Sequence, residues 1–226
     1  MPVTEFALMH LAGGPLDSST RQLFEECQNI QDGWALKQNP REAPTSRLAR
    51  GVGMLQQVED PSAILITARW DSPEAHWDWI GTEENKGIME KMGPLIVAEG
   101  EKKMLLFHVD PVVLPEVDDE SAASSPLSSP ILSIYRYSVK PTDKKLVAAK
   151  FDEVSNVLRK SDGKYDFKSG WRIEKQDEGT EELLVFHGWT SIEEHEQFQA
   201  SGDYAHFKSL AEHAKKVDPK LYQKFI

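Results

Sequence analysis

The sequence predicts an α+β protein made of two βαββαβ units, and three observations carry this prediction. A stretch at 70–79 recurs at 189–198, with Trp, Ser, Glu and His at a constant offset of 119 residues and an aromatic residue three places after each His. Each copy directly follows an apolar run, so a strand, a cap and a helix are repeated together. An acidic, Ser- and Pro-rich segment at 112–130 separates the copies, and its composition is typical of a linker.

The bulk composition excludes several classes of protein. The chain has 226 residues and a formal net charge of −11, which argues against a general nucleic-acid binder and against an anionic membrane surface as partner. Its one cysteine, Cys27, excludes an intrachain disulfide and a cysteine-rich zinc site. The N-terminus lacks a signal-peptide pattern, and no apolar run approaches the ~20 residues of a membrane span. We therefore expect a cytoplasmic protein.

The first half has the order strand, helix, strand, strand, helix, strand. A short apolar run at 3–12 ends at Gly-Gly-Pro, which is typical of a strand that closes at a turn. A capping box at 19–22 opens a helix with apolar residues at steps of four and three. The next predicted elements are strands at 47–59 and 62–70, a helix that starts at Ser72 with Pro73 in its first turn, and a strand at 102–109.

The second half repeats this order. An apolar strand at 131–139 precedes a helix whose apolar residues recur at helical spacing up to Leu158. Strands at 170–175 and 183–189 follow, and a capping box at 191–194 opens the second helix. That helix is predicted to continue to Ala214, and the last strand is predicted at 221–226.

A βαββαβ unit forms a four-stranded antiparallel sheet with both helices on one face, which is the ferredoxin-like arrangement. The central strands are apolar on both faces, as at Ile64 and Leu65, so the second face of each sheet needs a cover. The two halves can cover each other by pseudo-twofold symmetry, which predicts a pseudo-dimeric α+β barrel. The sequence does not determine whether two such chains form a homodimer. The predicted domains are a first repeat at 1–111, a linker at 112–130 with no means of forming a core, and a second repeat at 131–226.

The repeated Trp-x-Ser-x-Glu-x-His-x-x-aromatic stretch, set in a βαββαβ unit, resembles the dimeric α+β barrel superfamily. It is most similar to the antibiotic-biosynthesis-monooxygenase type of domain, here in two tandem copies. The family pattern has a His at a helix start, and often a His-Phe pair further on. His195 and His206-Phe207 match this pattern. His76 matches its first part, but Glu84-Asn85-Lys86 stands where the first half would carry His-Phe.

The resemblance implies a small-molecule enzyme without a cofactor, of oxygenase, cyclase or isomerase type. Its substrate would be an aromatic or polyketide-like compound of secondary metabolism. The superfamily also contains haem-degrading and non-enzymatic proteins, so the fold does not determine an activity. The alternative hypothesis is a non-catalytic small-molecule-binding or stress-response protein.

The histidines of the repeated stretch are the first candidates for catalysis. His76 and His195 each share a helical face with apolar residues, so both imidazoles are expected to point toward the sheet. An imidazole suits acid–base work because its pKa is near neutrality. The alternative is a buried His that only holds helix to strand by a hydrogen bond.

Strand residues supply the other candidates. His10 and Arg136 are assigned to equivalent places in the two first strands, at an offset of 126 residues. We expect the first strand of each half to run parallel beside the third, which would place Arg136 or Tyr137 near His187. Together they would bind and polarise a phenol, an enolate or a carboxylate. The alternative is a solvated strand end with a surface Arg. The predicted catalytic set is His195, His187, Arg136 and His76, and the predicted substrate-binding set is His10, Tyr137, Trp171 and His206.

No metal site is predicted, because the seven histidines are scattered, although a haem held by one axial His stays an alternative. An enclosed pocket of roughly a few hundred Å3 that reaches one of the candidate histidines would favour the enzyme. A filled core would favour the binding protein. If one half alone has kept a site, we expect it to be the second, which carries His187, His195 and His206.

Overall fold

The computed structural model describes residues 1–38, 46–113, 123–158 and 167–226. Within these ranges the chain has nine strands and six α-helices. The strands are β1 Val3–His10, β2 Gly53–Gln57, β3 Ala63–Thr67, β4 Arg69–Trp70, β5 Leu105–Asp110, β6 Ile131–Val139, β7 Phe167–Arg172, β8 Glu181–Trp189 and β9 Ala214–Lys224. The helices are α1 Ser18–Gln38, α2 Pro73–Ile80, α3 Glu83–Met92, α4 Lys144–Leu158, α5 Ile192–Ala200 and α6 Asp203–Lys208.

Eight of these strands form one closed antiparallel barrel, and the two-residue β4 continues β3 beside β1. The strand order is β2-β3-β1-β5 in the first half and β7-β8-β6-β9 in the second. Hydrogen bonds between β2 and β9, and between β5 and β7, join the two sheets edge to edge. The halves therefore have the same element order and the same internal pairings.

The inside of the barrel is filled by apolar side chains of both halves. The rings of Phe6 and Phe107 stack there, with 4.7 Å between their centroids. Val113 and Leu127 belong to the same core, and each is 1% exposed. Both residues come from the segment 112–130. The expectation that this segment has no means of forming a core is therefore wrong at its two ends, where apolar side chains are buried in the barrel.

The helices pack on the outer face of the barrel. Successive residues of a strand point to opposite faces, so Phe6 lies inside and Ala7 outside. α1 and α3 share a core with the outer face of the first half, and α4 and α6 do the same in the second half. None of the helices in the described part of the chain is both long and apolar enough to cross a membrane.

The repeated cap is present in both halves. The Ser72 hydroxyl accepts a hydrogen bond from the backbone N–H of Ala75 at 3.3 Å, at the start of α2. The Ser191 hydroxyl accepts one from the backbone N–H of Glu194 at 3.2 Å, at the start of α5. These side chains satisfy amide groups that have no partner within the helix. The predicted sequence of strand, cap and helix is thus confirmed twice.

The last strand is longer than predicted. β9 begins at Ala214 and pairs with β6 along most of its length, whereas the sequence predicted helix up to Ala214 and strand only at 221–226. The sequence does not indicate a strand at 214–220, because lysines, Asp218 and Pro219 interrupt the alternation of apolar residues on which the prediction of strands depends. Pairing with β6 on one side and β2 on the other holds this polar segment in the barrel.

Gly170 lies where β5 and β7 approach each other closely to close the barrel. A Cβ atom there would clash with Val109 Cγ1 and would lie 2.7 Å from the backbone oxygen of Pro111. We expect Gly170→Ala to lower the free energy of unfolding by about 1–3 kcal/mol, measured by urea denaturation. Gly87→Ala on α3 is the control, because no atom lies within 4 Å of its Cβ and alanine favours a helix. Equal stability of Gly170→Ala and wild type would contradict the close approach of the two strands.

Candidate functional site

An apolar cavity of about 280 Å3 lies between the sheet of the first half and α1, α2 and α3. Trp77 and Trp79 line it, together with five of the six methionines of the chain: Met9, Met54, Met89, Met92 and Met104. Thioether side chains are flexible and polarizable, and they make favourable contacts with aromatic rings. The cavity therefore suits a flat apolar ligand.

A small residue on the sheet leaves room for this cavity. Ala7 points outward from β1, opposite Ile66. Tyr135 of β6 lies opposite Val185. Ile66 stands four residues before the Trp of the first repeated stretch, and Val185 stands four residues before the Trp of the second. Ala7 and Tyr135 therefore hold corresponding positions. Tyr135 packs into the aromatic core of the second half, so a phenol ring fills there the space that Ala7 leaves open.

Glu5 brings a carboxyl group to the wall of the cavity. It lies on β1, two residues before Ala7, and is 6% exposed. Trp70 Nε1–H donates a hydrogen bond to Glu5 Oε2 at 2.8 Å. Burial raises the pKa of Glu5 to about 7, and the Trp70 hydrogen bond and nearby His108 offset this only in part. Such a carboxyl can accept and release protons near neutral pH.

His76 lies beside Glu5, and hydrogen bonds link His76 through His108 to Glu174 at the junction of the two halves. His76 Nε2 lies 3.6 Å from Glu5 Oε2, and His76 Nδ1 lies 2.8 Å from His108 Nε2. His108 Nδ1 lies 2.6 Å from Glu174 Oε1, and the backbone N–H of His108 donates to Glu174 Oε2 at 2.7 Å. Four titratable groups therefore form one continuous series that begins at the cavity.

The proton positions follow from the outer end of this series. A carboxylate can only accept hydrogen bonds, so His108 Nδ1 carries a proton toward Glu174. In the state in which His108 carries no net charge, its Nε2 accepts a hydrogen bond from His76 Nδ1–H, and the lone pair of His76 Nε2 then faces Glu5. Burial lowers the pKa of His76 to about 3, and the nearby His108 adds to this lowering. Burial disfavours ionisation of Glu174, but the hydrogen bonds from His108 outweigh it and hold the pKa of Glu174 below its usual value.

Two tryptophans fix the orientation of the His76 ring. It stacks on Trp70 with 4.4 Å between centroids and an interplanar angle of 11°, and it lies parallel to Trp77 at 5.9 Å. Trp70 is the strand-end aromatic of the repeated stretch, and it also holds Glu5 through its indole N–H. The repeated stretch of the first half therefore positions both polar groups.

The second half lacks this arrangement. Trp189 Nε1–H donates to the hydroxyl of Ser133, where Trp70 donates to Glu5. His108 lies opposite Glu5 in the sheet, whereas Leu221 lies opposite Ser133. The acid and the second imidazole are both replaced.

Of the predicted catalytic histidines, the structure places His76 on the apolar cavity. His195 Nε2 lies 3.2 Å from the Tyr135 hydroxyl, beside a separate polar cleft of about 220 Å3 in the second half. His187 packs against Phe167 and Trp189, with ring centroids 3.5 Å and 3.9 Å away. Burial lowers the pKa of His187 to about 3. These histidines do not meet in one site.

The expected parallel pairing of first and third strands is wrong. β6 and β8 run antiparallel, because the crossover leaves the first two strands parallel and the hairpin then reverses the third. His187 lies opposite Ser133, whereas Arg136 lies opposite Leu184. Arg136 forms an ion pair with Glu182 at 2.7 Å, so the predicted grouping of Arg136 or Tyr137 with His187 does not occur.

His10 lies at the end of β1, away from the cavity. Its Nδ1 is 3.1 Å from the carbonyl oxygen of Lys102, and its Nε2 is 3.9 Å from an Asp60 oxygen. The pairing registers make Leu8, and not His10, the counterpart of Arg136, so the offset of 126 residues was wrong by two.

The remaining predicted substrate-binding residues lie outside the lining of the apolar cavity. Tyr137 is 1% exposed in the core of the second half. Trp171 lies under the Lys144 ammonium group, with 4.8 Å to the ring centroid, and His206 is exposed on α6. In the four described ranges, no group of three or more His, Cys, Asp or Glu side chains is arranged to hold a metal ion.

Sequence reasoning missed Glu5, His108 and Glu174. Glu5 and His108 are titratable residues inside apolar strand segments, and that contrast is a usable signal. Glu174 follows β7 and meets His108 across 66 residues of sequence, so only the strand pairing reveals it.

Comparisons with known proteins address the class of fold. No protein-family model matches the sequence, and no curated protein matches it. Among solved structures, an anthrone oxidase-like protein is similar, with a TM-score of 0.62, 14% identity, and coverage of 100% of this chain and 92% of that chain. A provisionally named monooxygenase from Lactobacillus acidophilus NCFM has a TM-score of 0.58 and 10% identity, over 99% of this chain and 93% of that one.

A heme-binding protein from Thermus thermophilus is also similar, with a TM-score of 0.53, 9% identity, and coverage of 100% of this chain and 92% of that one. At these identities the similarities show the fold. The protein is an α+β barrel of eight antiparallel strands covered by helices, and monooxygenase-like proteins of the dimeric α+β barrel type are among its structural neighbours.

Proposed function

We propose that the protein is a small-molecule enzyme that binds an apolar aromatic compound in the first-half cavity. Glu5 is the proton acceptor in this proposal. The observation that carries it is a buried carboxyl, with a pKa raised to about 7, on the wall of a cavity lined by methionine and tryptophan. A base works best when its pKa lies near the working pH.

Removal of one proton is the step that these residues support. The carboxylate of Glu5 would take a proton from a phenol, or from a carbon next to a carbonyl group, and leave an electron-rich anion in an apolar site. His76 stands 3.6 Å behind that carboxylate to receive the proton next. Reaction of the anion with dissolved O2 is the favoured outcome, because the neighbours include monooxygenase-like and anthrone oxidase-like proteins. In this reaction O2 is the oxidant, so that one of its oxygen atoms enters the product and the other is reduced to water as the carbon is oxidised. Cyclisation or isomerisation would begin from the same anion.

The organisation of the chain fits this role. Matching strand orders and matching caps support a tandem pair of ferredoxin-like repeats, at 1–111 and 131–226, fused by the segment 112–130. The first repeat would hold the active site, and the second would complete the barrel as a scaffold. A cytoplasmic location, a role in secondary metabolism and work without a bound cofactor are parts of the same proposal.

Non-catalytic binding is the alternative function, and one contact of a buried histidine supports it. His76 is engaged on one side by His108, as a purely structural histidine would be. Under this alternative the cavity binds a ligand and Glu5 transfers no proton.

Cys27 allows the two functions to be separated in one experiment. It is the single cysteine, it is 6% exposed, and it lines the cavity. We expect a phenol or anthrone-type compound that occupies the cavity to slow the reaction of Cys27 with a thiol reagent, with unfolded protein as the control for full labelling. Oxygen uptake and product mass are measured on the same samples. Compounds that protect Cys27 but are recovered unchanged would support the binding protein against the enzyme.

A further inference from the structure

We infer that His76, His108 and Glu174 form a proton store, in which the proton taken by Glu5 is held on His108 against Glu174 while the substrate anion reacts. This inference rests on the proposed function, since it gives that proton a destination. It also assigns a role to a residue of the second half, because Glu174 follows β7.

The burial of the series suits storage of a charge. The side chains of Glu5, His76 and His108 are 8%, 4% and 0% exposed, whereas that of Glu174 is 34% exposed. The positive charge of a protonated His108 would lie next to the one partly hydrated carboxylate of the series. A charge pair at that end is less costly than a charge beside the apolar cavity.

The transfer balances without any group from outside. Glu5, once protonated, gives its O–H proton to the lone pair of His76 Nε2. As this proton arrives, His76 releases its Nδ1 proton to His108 Nε2, so His76 stays uncharged and His108 becomes an imidazolium between His76 and the Glu174 carboxylate. Two protons move one place each, and only O–H and N–H bonds form or break. The reverse transfer returns the proton to the product, so both rings recover their starting protonation.

The contacts of Glu174 hold the outer end of the store in place. Its two oxygens bind the ring and the backbone N–H of His108. The backbone N–H of Ile173 donates to the His108 carbonyl at 2.8 Å, and Arg172 Nε donates to the Glu174 carbonyl at 2.6 Å. The junction between β5 and β7 therefore fixes both partners, and Leu221 at the counterpart of His108 means that the second half has no such store.

The test uses 4-nitrophenol as the probe, because its phenolate absorbs visible light. The full-length chain, labelled with 15N-histidine, is saturated with the probe, and its bound phenolate fraction and ring-nitrogen signals are recorded. We expect phenolate to form and His108 to carry protons on both nitrogens. Glu174→Gln should lower the ratio of bound phenolate to phenol about tenfold or more. The reason is that the Glu174 carboxylate lies 2.6 Å from the His108 ring, and a negative charge so close favours the protonated ring by about that factor or more.

Two variants control for structure. Glu178→Gln, an exposed residue of the same loop, should behave as wild type, and Glu174→Asp should recover part of the phenolate. Equal phenolate in wild type and in folded Glu174→Gln, with unchanged histidine signals, would overturn the proton store and leave Glu5 as the base. Failure of the proposed function gives a different result, in which the probe stays a neutral phenol in wild type and in Glu5→Gln alike.

Discussion

Glu5→Gln is expected to lower turnover by about a hundredfold or more and, above neutral pH, to make the protein more stable. Loss of a positioned base costs roughly 10²–10⁴-fold in rate. The amide keeps an oxygen that can accept the Trp70 hydrogen bond, so the cavity should keep its shape. Steady-state rates on a substrate found through Cys27 protection measure the first effect, and urea unfolding at pH 5 and pH 8 measures the second.

The sign of the stability change follows from burial. The pKa of Glu5 is raised from 4.5 to about 7 in the folded protein, so the folded state keeps a proton that the unfolded chain has lost. Stability of the wild type therefore falls as the pH rises from about 4.5 to about 7, by on the order of 3 kcal/mol in total. The glutamine of the variant carries no charge at any pH and avoids this loss.

The control for Glu5→Gln is Glu90→Gln, at an exposed position on α3. This variant should match wild type in rate and in stability at both pH values. A Glu5→Gln protein with full activity would exclude Glu5 as the base. If the difference in stability between Glu5→Gln and wild type is the same at pH 5 and at pH 8, the carboxyl is not buried with a raised pKa.

Ala7→Tyr is expected to remove ligand binding while the fold is kept. The second half carries Tyr135 at the corresponding position and packs it fully, so the same side chain should fit under the helices of the first half. Affinity for any ligand of the cavity should fall about 100-fold or more, because the tyrosine ring occupies the binding space. A ligand could bind only after this ring had left its packed position, which is costly for a large buried side chain. Calorimetric titration measures the affinity, and protection of Cys27 is the second readout.

The control for this change lies in the second half. Tyr135→Phe removes a hydroxyl near His195 but leaves the first-half cavity untouched, so ligand affinity should stay at the wild-type value. Loss of binding in Tyr135→Phe, with binding retained in Ala7→Tyr, would move the site to the polar cleft beside His195.

The parts of the fold that sequence predicts well are local. Ser72 and Ser191 mark helix starts through bonds to residues three places on, and the apolar runs before them mark strands. Strand register is not local, since it depends on hydrogen bonds between distant segments. For this reason the assignment of His10 and Arg136 to equivalent positions is wrong by two residues, and the predicted last strand begins at 221, whereas β9 begins at Ala214.

Prediction of the site residues depends even more than the fold on contacts between distant parts of the sequence. His76 was found because its motif repeats, yet its repeat partner His195 faces a tyrosine where His76 faces a second imidazole. What separates the halves is the set of strand residues beneath the helices, above all Glu5 and Ala7 against their second-half counterparts. Those positions become comparable only when the registers are known.

The most direct test of the central claim is the crystal structure of the protein with a ligand selected by Cys27 protection. The account predicts the ligand between β1 and helices α1 to α3, in contact with the methionine side chains, with a polar atom within hydrogen-bond distance of Glu5. A ligand bound in the cleft beside His195, or inside the barrel, would contradict it.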